Sequence, residues 1–145
     1  NLVATWSGSS RACFAGLVIS DLGSILTPAA NNGSGSSFPS HASFGLTSGP
    51  FNCLDVLVAN IRGAHVSNPP TVPSGYTLAD VVAASGSDDP TSSFRNTLAV
   101  AYKTLDAGVD LTWTGSTATI PAATWGGLGD LGTQTWTTFR LVLNP

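Results

Sequence analysis

Across residues 94–105 the chain alternates one residue at a time. Phe94, Asn96, Leu98, Val100 and Tyr102 fall on one side, and Arg95, Thr97, Ala99, Ala101 and Lys103 on the other. A period of two is that of an extended strand, whose successive side chains point to opposite faces; a helix would scatter these residues around its circumference. Turn chemistry brackets the run: Asp88-Asp89-Pro90 lies ahead of it and Asp106-Ala107-Gly108 closes it. Composition removes the helical alternative elsewhere. The sequence has no Glu, no Met, one Gln (Gln134) and one Lys (Lys103), whereas Thr, Val, Ser and Gly abound. Strong helix formers are what is missing, and strand and turn formers are what is present, so the chain is expected to be all-β.

The same pattern recurs on either side. Residues 51–61 alternate with Leu54, Val56 and Val58 against Cys53, Asp55 and Leu57, and their near-continuous apolarity predicts a strand central in its sheet. Residues 63–75 hold Pro69, Pro70 and Pro73, which lack the amide donor a central strand needs, so this segment is expected to be a rigid surface loop. Residues 76–84 are the next strand, with β-branched Val81 and Val82 deciding against two helical turns. Residues 109–113 give another strand ending at a Gly turn, the Gly-rich 122–135 reads as loop, and 137–143 alternate Phe139, Leu141 and Leu143 against Thr138, Arg140 and Val142 as a terminal strand paired inside the sheet. Residues 41–47 form a short strand.

Toward the N-terminus, the apolar runs 2–6 and 11–19 flank Ser7-Gly8-Ser9-Ser10 and read as a hairpin. Residues 21–40 are rich in Gly, Ser, Asn and Pro. Their Asn31-Asn32-Gly33-Ser34-Gly35-Ser36-Ser37 has the composition of a flexible linker. The organisation expected is therefore an N-terminal hairpin, arm and flexible loop over 1–40 and a β-sandwich body over 41–145, one domain in all. At 145 residues a chain can bury roughly two thirds of its unfolded surface in one core. About eight strands separated by turn signals fit a two-sheet antiparallel sandwich, with a jelly roll as the expected arrangement. The chain opens on Asn1 and contains no Met, which predicts that residues upstream were removed or lie outside it.

Charge narrows the partners. Only 9% of residues are charged, against roughly 25% in an average soluble protein, so Ser, Thr, Asn and Gly must keep the surface wet. The five basic residues, Arg11, Arg62, Arg95, Lys103 and Arg140, are scattered on a chain of net charge −3, which excludes a phosphate-binding stripe and with it nucleic acid. No apolar run approaches the ~20 residues that cross a bilayer as a helix, and no membrane partner is expected.

The chemistry is sparse. His41 and His65 are the only histidines and are expected in loop or surface roles; no Gly-x-Ser-x-Gly elbow accompanies them. Without Glu, a carboxylate pair must come from Asp88-Asp89, best read as turn initiation before Pro90, or from Asp106 and Asp110, read as solvated residues bracketing a hairpin turn. No enzyme activity, cofactor or metal is expected. Cys13 and Cys53 are the only cysteines and can form one disulfide, the alternative being two small half-buried side chains. Of the aromatic residues, Trp6 and Trp113 at strand ends are expected to cap the core. Trp125 and Trp136, flanking the Gly-rich loop, are the candidates for an exposed contact, with His65 and Asn68 from the Pro-rich loop.

One resemblance adds to this reading. The succession Leu57-Val58-Ala59-Asn60-Ile61-Arg62-Gly63, a Pro-rich loop, Pro73-Ser74-Gly75-Tyr76-Thr77, Leu98-Ala99-Val100-Ala101-Tyr102-Lys103, Ala107-Gly108 and Leu111-Thr112-Trp113-Thr114-Gly115-Ser116 resembles β-sandwich modules of bacteriophage virion proteins. It covers roughly residues 51–116, with Tyr76 standing where those modules usually have Trp. The resemblance implies a non-enzymatic structural protein on the virion surface. A capsid decoration or cement subunit is the first expectation, with other virion proteins such as the major capsid protein as partners and a homo-oligomer, a trimer, as the assembly. The alternative it leaves open is a tail-fibre or adhesin domain that binds host carbohydrate.

Overall fold

The computed structural model describes residues 15, 17–20, 23–34, 38–46, 52–62, 71–84, 96–126 and 135–144. Among the described residues there is no helix, and ten strands form three antiparallel sheets: β1 (Ser24–Ser34), β2 (Ser40–His41), β3 (Phe44–Leu46), β4 (Leu54–Arg62), β5 (Thr77–Ala84), β6 (Asn96–Thr104), β7 (Thr112–Thr114), β8 (Thr117–Ile120), β9 (Ala123–Thr124) and β10 (Thr135–Asn144). The main sheet runs β1-β10-β4-β6-β5; the facing layer is made of the two-stranded β2-β9 and the three-stranded β3-β8-β7. The all-β, sandwich-like fold expected from the alternation is the fold observed.

β4 pairs without a break along β10 and along β6, from Leu54 to Arg62 in both cases. Its register places Asp55, Leu57, Ala59 and Ile61 level with Val142, Arg140, Thr138 and Trp136 of β10 and with Lys103, Ala101, Ala99 and Thr97 of β6. These side chains share the inner face. Two apolar clusters fill the space between the layers. In one, Leu46, Ala118 and Ile120 of the three-stranded sheet meet Val142 and Cys53. In the other, Trp125 and Ala123 pack with Leu57, Ala59, Ala99 and Ala101. Three alanines on neighbouring central strands leave the depth that one indole occupies.

Between the clusters lies a layer of polar groups. The Arg140 guanidinium is buried against Asp55: Nη2 donates to Asp55 Oδ2 at 2.6 Å and Nε lies 3.1 Å from Oδ1. Nη1 donates to the carbonyls of Ala42 (2.7 Å) and Pro121 (2.8 Å), and Nη2 also reaches the Tyr76 hydroxyl at 3.2 Å. The Tyr76 hydroxyl in turn donates to Asp55 Oδ2 at 2.5 Å. All five N–H donors of the guanidinium thus have acceptors, the condition under which a buried ion pair is tolerated. Burial and the bond to Asp55 hold the Tyr76 hydroxyl well above the usual phenol range.

The principal departure from the sequence reading is β1. Residues 24–34, expected as part of a flexible loop, form an eleven-residue strand along β10. Gly33 sits opposite Trp136, and a Cβ on Gly33 would come within 2.3 Å of the Trp136 ring. The glycine that reads as linker composition is instead the flat place on which an indole lies, an arrangement that stabilises glycine on edge strands. Gly33→Val is expected to push the indole off the sheet, cost about 1–3 kcal/mol, and appear as a lowered thermal midpoint with altered Trp fluorescence. Two smaller differences follow from length. Strand β9, only two residues, falls inside the segment read as loop, and Val109 and Asp110 belong to a turn that precedes β7.

Candidate functional site

The two faces of the main sheet differ in chemistry. The inner face carries the polar layer described above; the outer face carries Leu54, Val56 and Val58 of β4, Val100 and Tyr102 of β6, Phe139, Leu141 and Leu143 of β10, and Ile25 of β1, as the register requires. Among the described side chains of these four strands none on the outer face is charged, whereas β5 at the edge brings exposed Asp80 level with Val100 on the same face. Its centre is buried: Val56, Val100 and Leu143 form a cluster against which Ala15 and Ile19 pack. Its flank is not, since Phe139 is 45% and Ile25 59% exposed. The segment that crosses the face also offers apolar surface outward, with Leu17 exposed and Val18 at 97%. Single exposed apolar residues are ordinary, but here four lie on one face and on the segment covering it.

The edges of this sheet are blunted. Between Leu26 and Ala29 the register of β1 against β10 shifts, at the position of Pro28, and β5 shifts against β6 between Leu78 and Asp80. A bulge with a proline or a charge on an edge strand discourages pairing with another sheet. Association through this sheet is therefore directed to its face rather than its edges.

The sequence-predicted contact residues are elsewhere. Trp125 is 1% and Trp136 5% exposed, so neither is an exposed contact. Trp125 is held by its backbone N–H to the Pro39 carbonyl (2.9 Å) and by its indole N–H, which donates to His41 Nε2 at 2.8 Å. Trp113, expected to cap the core, is the exposed one, its indole N–H donating to the Ala107 carbonyl at 2.8 Å. The Gly-rich context of Trp125 misleads because its partner strand, β2, is too short to leave a periodic signal. His65 and Asn68 lie outside the described residues. Cys53 is buried, and burial followed by the nearby Asp55 carboxylate raises its thiol above the ordinary value. Its candidate partner Cys13 also lies outside the described residues.

His41, expected at the surface, is buried beside Trp125, and burial, then the Arg140 charge, lowers its pKa to about 4. Since Nε2 accepts from Trp125, the neutral ring carries its proton on Nδ1, for which the described residues provide no partner. Folding therefore favours neutral His41, while the unfolded chain takes up a proton near the ordinary value of 6.5. The resulting stability is complete above about pH 6.5, falls as pH drops toward 4, and is lost below it, a total of roughly 3 kcal/mol at ~1.4 kcal/mol per unit. Thermal melts across this window are expected to show the decline in the wild type and a flatter profile in His41→Gln.

Among the described residues no group of three or more metal-ligating side chains is present. Comparison with protein-family models, with curated proteins and with solved structures finds no match.

Proposed function

We propose that this chain is a non-enzymatic structural subunit of a bacteriophage particle, a capsid decoration or cement protein on a jelly-roll-like framework at the virion surface. The observation that carries the reading is the apolar stretch of the outer face over β1, β10, β4 and β6, where exposed Phe139 and Ile25 lie beside a buried apolar cluster. An apolar stretch whose charge, Asp80, sits on the far edge strand has the make-up of an interface core with a polar rim and suits close contact with an identical surface. The occupant we assign is a second copy of this chain, with a trimer as the closed assembly and the shell formed by the major capsid protein as its support. The phage context comes from the resemblance over roughly residues 51–116. The segments that carry it are scaffold: β4, β6, β7 and a turn in which Tyr76 N–H bonds the Pro73 carbonyl at 3.1 Å and Gly75 has φ 82°. A positive φ at the third residue is what a type II turn demands, so glycine is required there by geometry.

Phe139→Asp tests the surface. The position is half exposed, so the monomer is expected to keep its fold and lose less than about 1 kcal/mol, while self-association is lost and the chain no longer adds to particles. A wild-type chain that sediments as a monomer at every concentration sinks the assignment of the face. The alternative of a carbohydrate-binding adhesin would draw on Trp125 and Trp136 as its exposed contacts, and their burial removes that support.

A further inference from the structure

A second feature lies at one end of the sandwich, away from the outer face. The turn before β5, the turn after β6 and the connection from β8 to β9 enclose a half-open cleft of about 450 Å³. That volume is in the range of small-ligand sites and admits one or two pyranose rings. Its polar groups are Lys103 and Asp110, with Ser74 and Thr124, and apolar wall is supplied by Pro73 and Val109. Lys103 Nζ and the Asp110 carboxylate are ion-paired, and Lys103 Nζ also stands 6.0 Å from the centre of the Tyr76 ring. Asp110, expected to be solvated, is instead half-buried, and the Asp106 backbone N–H, then Lys103, hold its carboxyl below the usual range.

The cleft has built walls. Tyr76 lines it from one side and Pro121 from another, and Arg140 bonds both, Nη2 to the Tyr76 hydroxyl and Nη1 to the Pro121 carbonyl. Its width is thereby fixed from beneath by one buried guanidinium, the supporting shell that a preorganised site requires. Gly75 serves the same geometry: a Cβ there would approach Lys103 Nζ to 3.2 Å, in a backbone conformation that side chains rarely adopt. The paired charges cancel, so neither an anion nor a cation gains from entering. A ligand that both donates and accepts fits, because hydroxyls can donate to the Asp110 carboxylate and accept from Lys103 N–H groups, with its C–H surface against Val109 and Pro73.

We infer that this cleft binds a neutral polyhydroxy ligand, one or two units of an uncharged saccharide. The inference stands apart from the assembly proposal, which is read by association rather than by sugar. Lys103 is the only lysine in the chain, so selective lysine labelling yields a single side-chain ammonium signal in the cleft itself. The experiment titrates that signal, in the folded full chain, with glucose, galactose, mannose, N-acetylglucosamine and their disaccharides at millimolar concentration, and with inorganic phosphate and glucuronate as anionic controls. Expected is a saturable shift with at least one neutral saccharide, weakened about tenfold in Asp110→Asn. The shift should be lost in Thr124→Trp, which fills the cleft from an exposed rim position while a retained thermal midpoint verifies folding. No shift with any neutral saccharide, a response to the anions alone, or a shift that survives Thr124→Trp overturns the inference.

Discussion

Arg140→Met is expected to destabilise the chain by about 3–5 kcal/mol, because it leaves the Asp55 carboxylate buried without its counter-charge. The damage spreads beyond the pair. The carbonyls of Ala42 and Pro121 lose donors at 2.7 and 2.8 Å, so the connections after β2 and after β8 are released together. At this chain length the thermal midpoint should fall by roughly 10 °C or more. Arg140→Lys is expected to recover only part of the loss, since an ammonium cannot reach a carboxylate, a phenol and two carbonyls in one plane. The double variant Asp55→Leu with Arg140→Met should be more stable than Arg140→Met alone, because the stranded charge is gone while the two carbonyls stay unpaired. Equilibrium urea unfolding of the wild type, Asp55→Leu, Arg140→Met and the double variant gives the coupling directly. Additive losses would mean that Asp55 and Arg140 are not coupled across β4 and β10.

Trp125→Ala should cost a similar amount, about 3–5 kcal/mol, for a different reason. The indole fills the depth left by Ala59, Ala99 and Ala101, whose methyl groups cannot reach across to close the void. The substitution also strips the donor from His41 Nε2. Trp125→Phe separates the two effects: it retains most of the ring volume and loses the hydrogen bond, so its loss should be nearer 1–2 kcal/mol. Chemical denaturation of both variants reads the difference, and equal losses would assign the whole effect to the hydrogen bond rather than to packing.

Much of the main sheet was legible in the residue pattern. β4, β6 and β10 alternate strongly, and the loop chemistry around them is plain. Alternation does not say which face turns inward, and β10 shows why that matters. Phe139 and Leu141 look like the core side, yet Trp136, Thr138, Arg140 and Val142 face the second layer. The signal that could have decided it was one opposite charge on each of two apolar strands, Asp55 on β4 and Arg140 on β10, since a buried charge calls for a partner. β1 escaped because its stability comes from β10 and from the Trp136 indole over Gly33, neither of which is local. His41 and Trp125 are separated by 84 residues and meet through a two-residue strand pair, which no local pattern encodes. The cleft draws on three separate connections, so only the fold assembles it.

The central claim, that the chain is a structural subunit on the head of a phage particle, is tested most directly by cryo-electron microscopy of particles carrying an epitope-tagged copy. The account predicts label over the capsid, in many copies at symmetry-related positions and clustered in threes. Label confined to the tail tip, or particles that carry no copy of the chain, would contradict it.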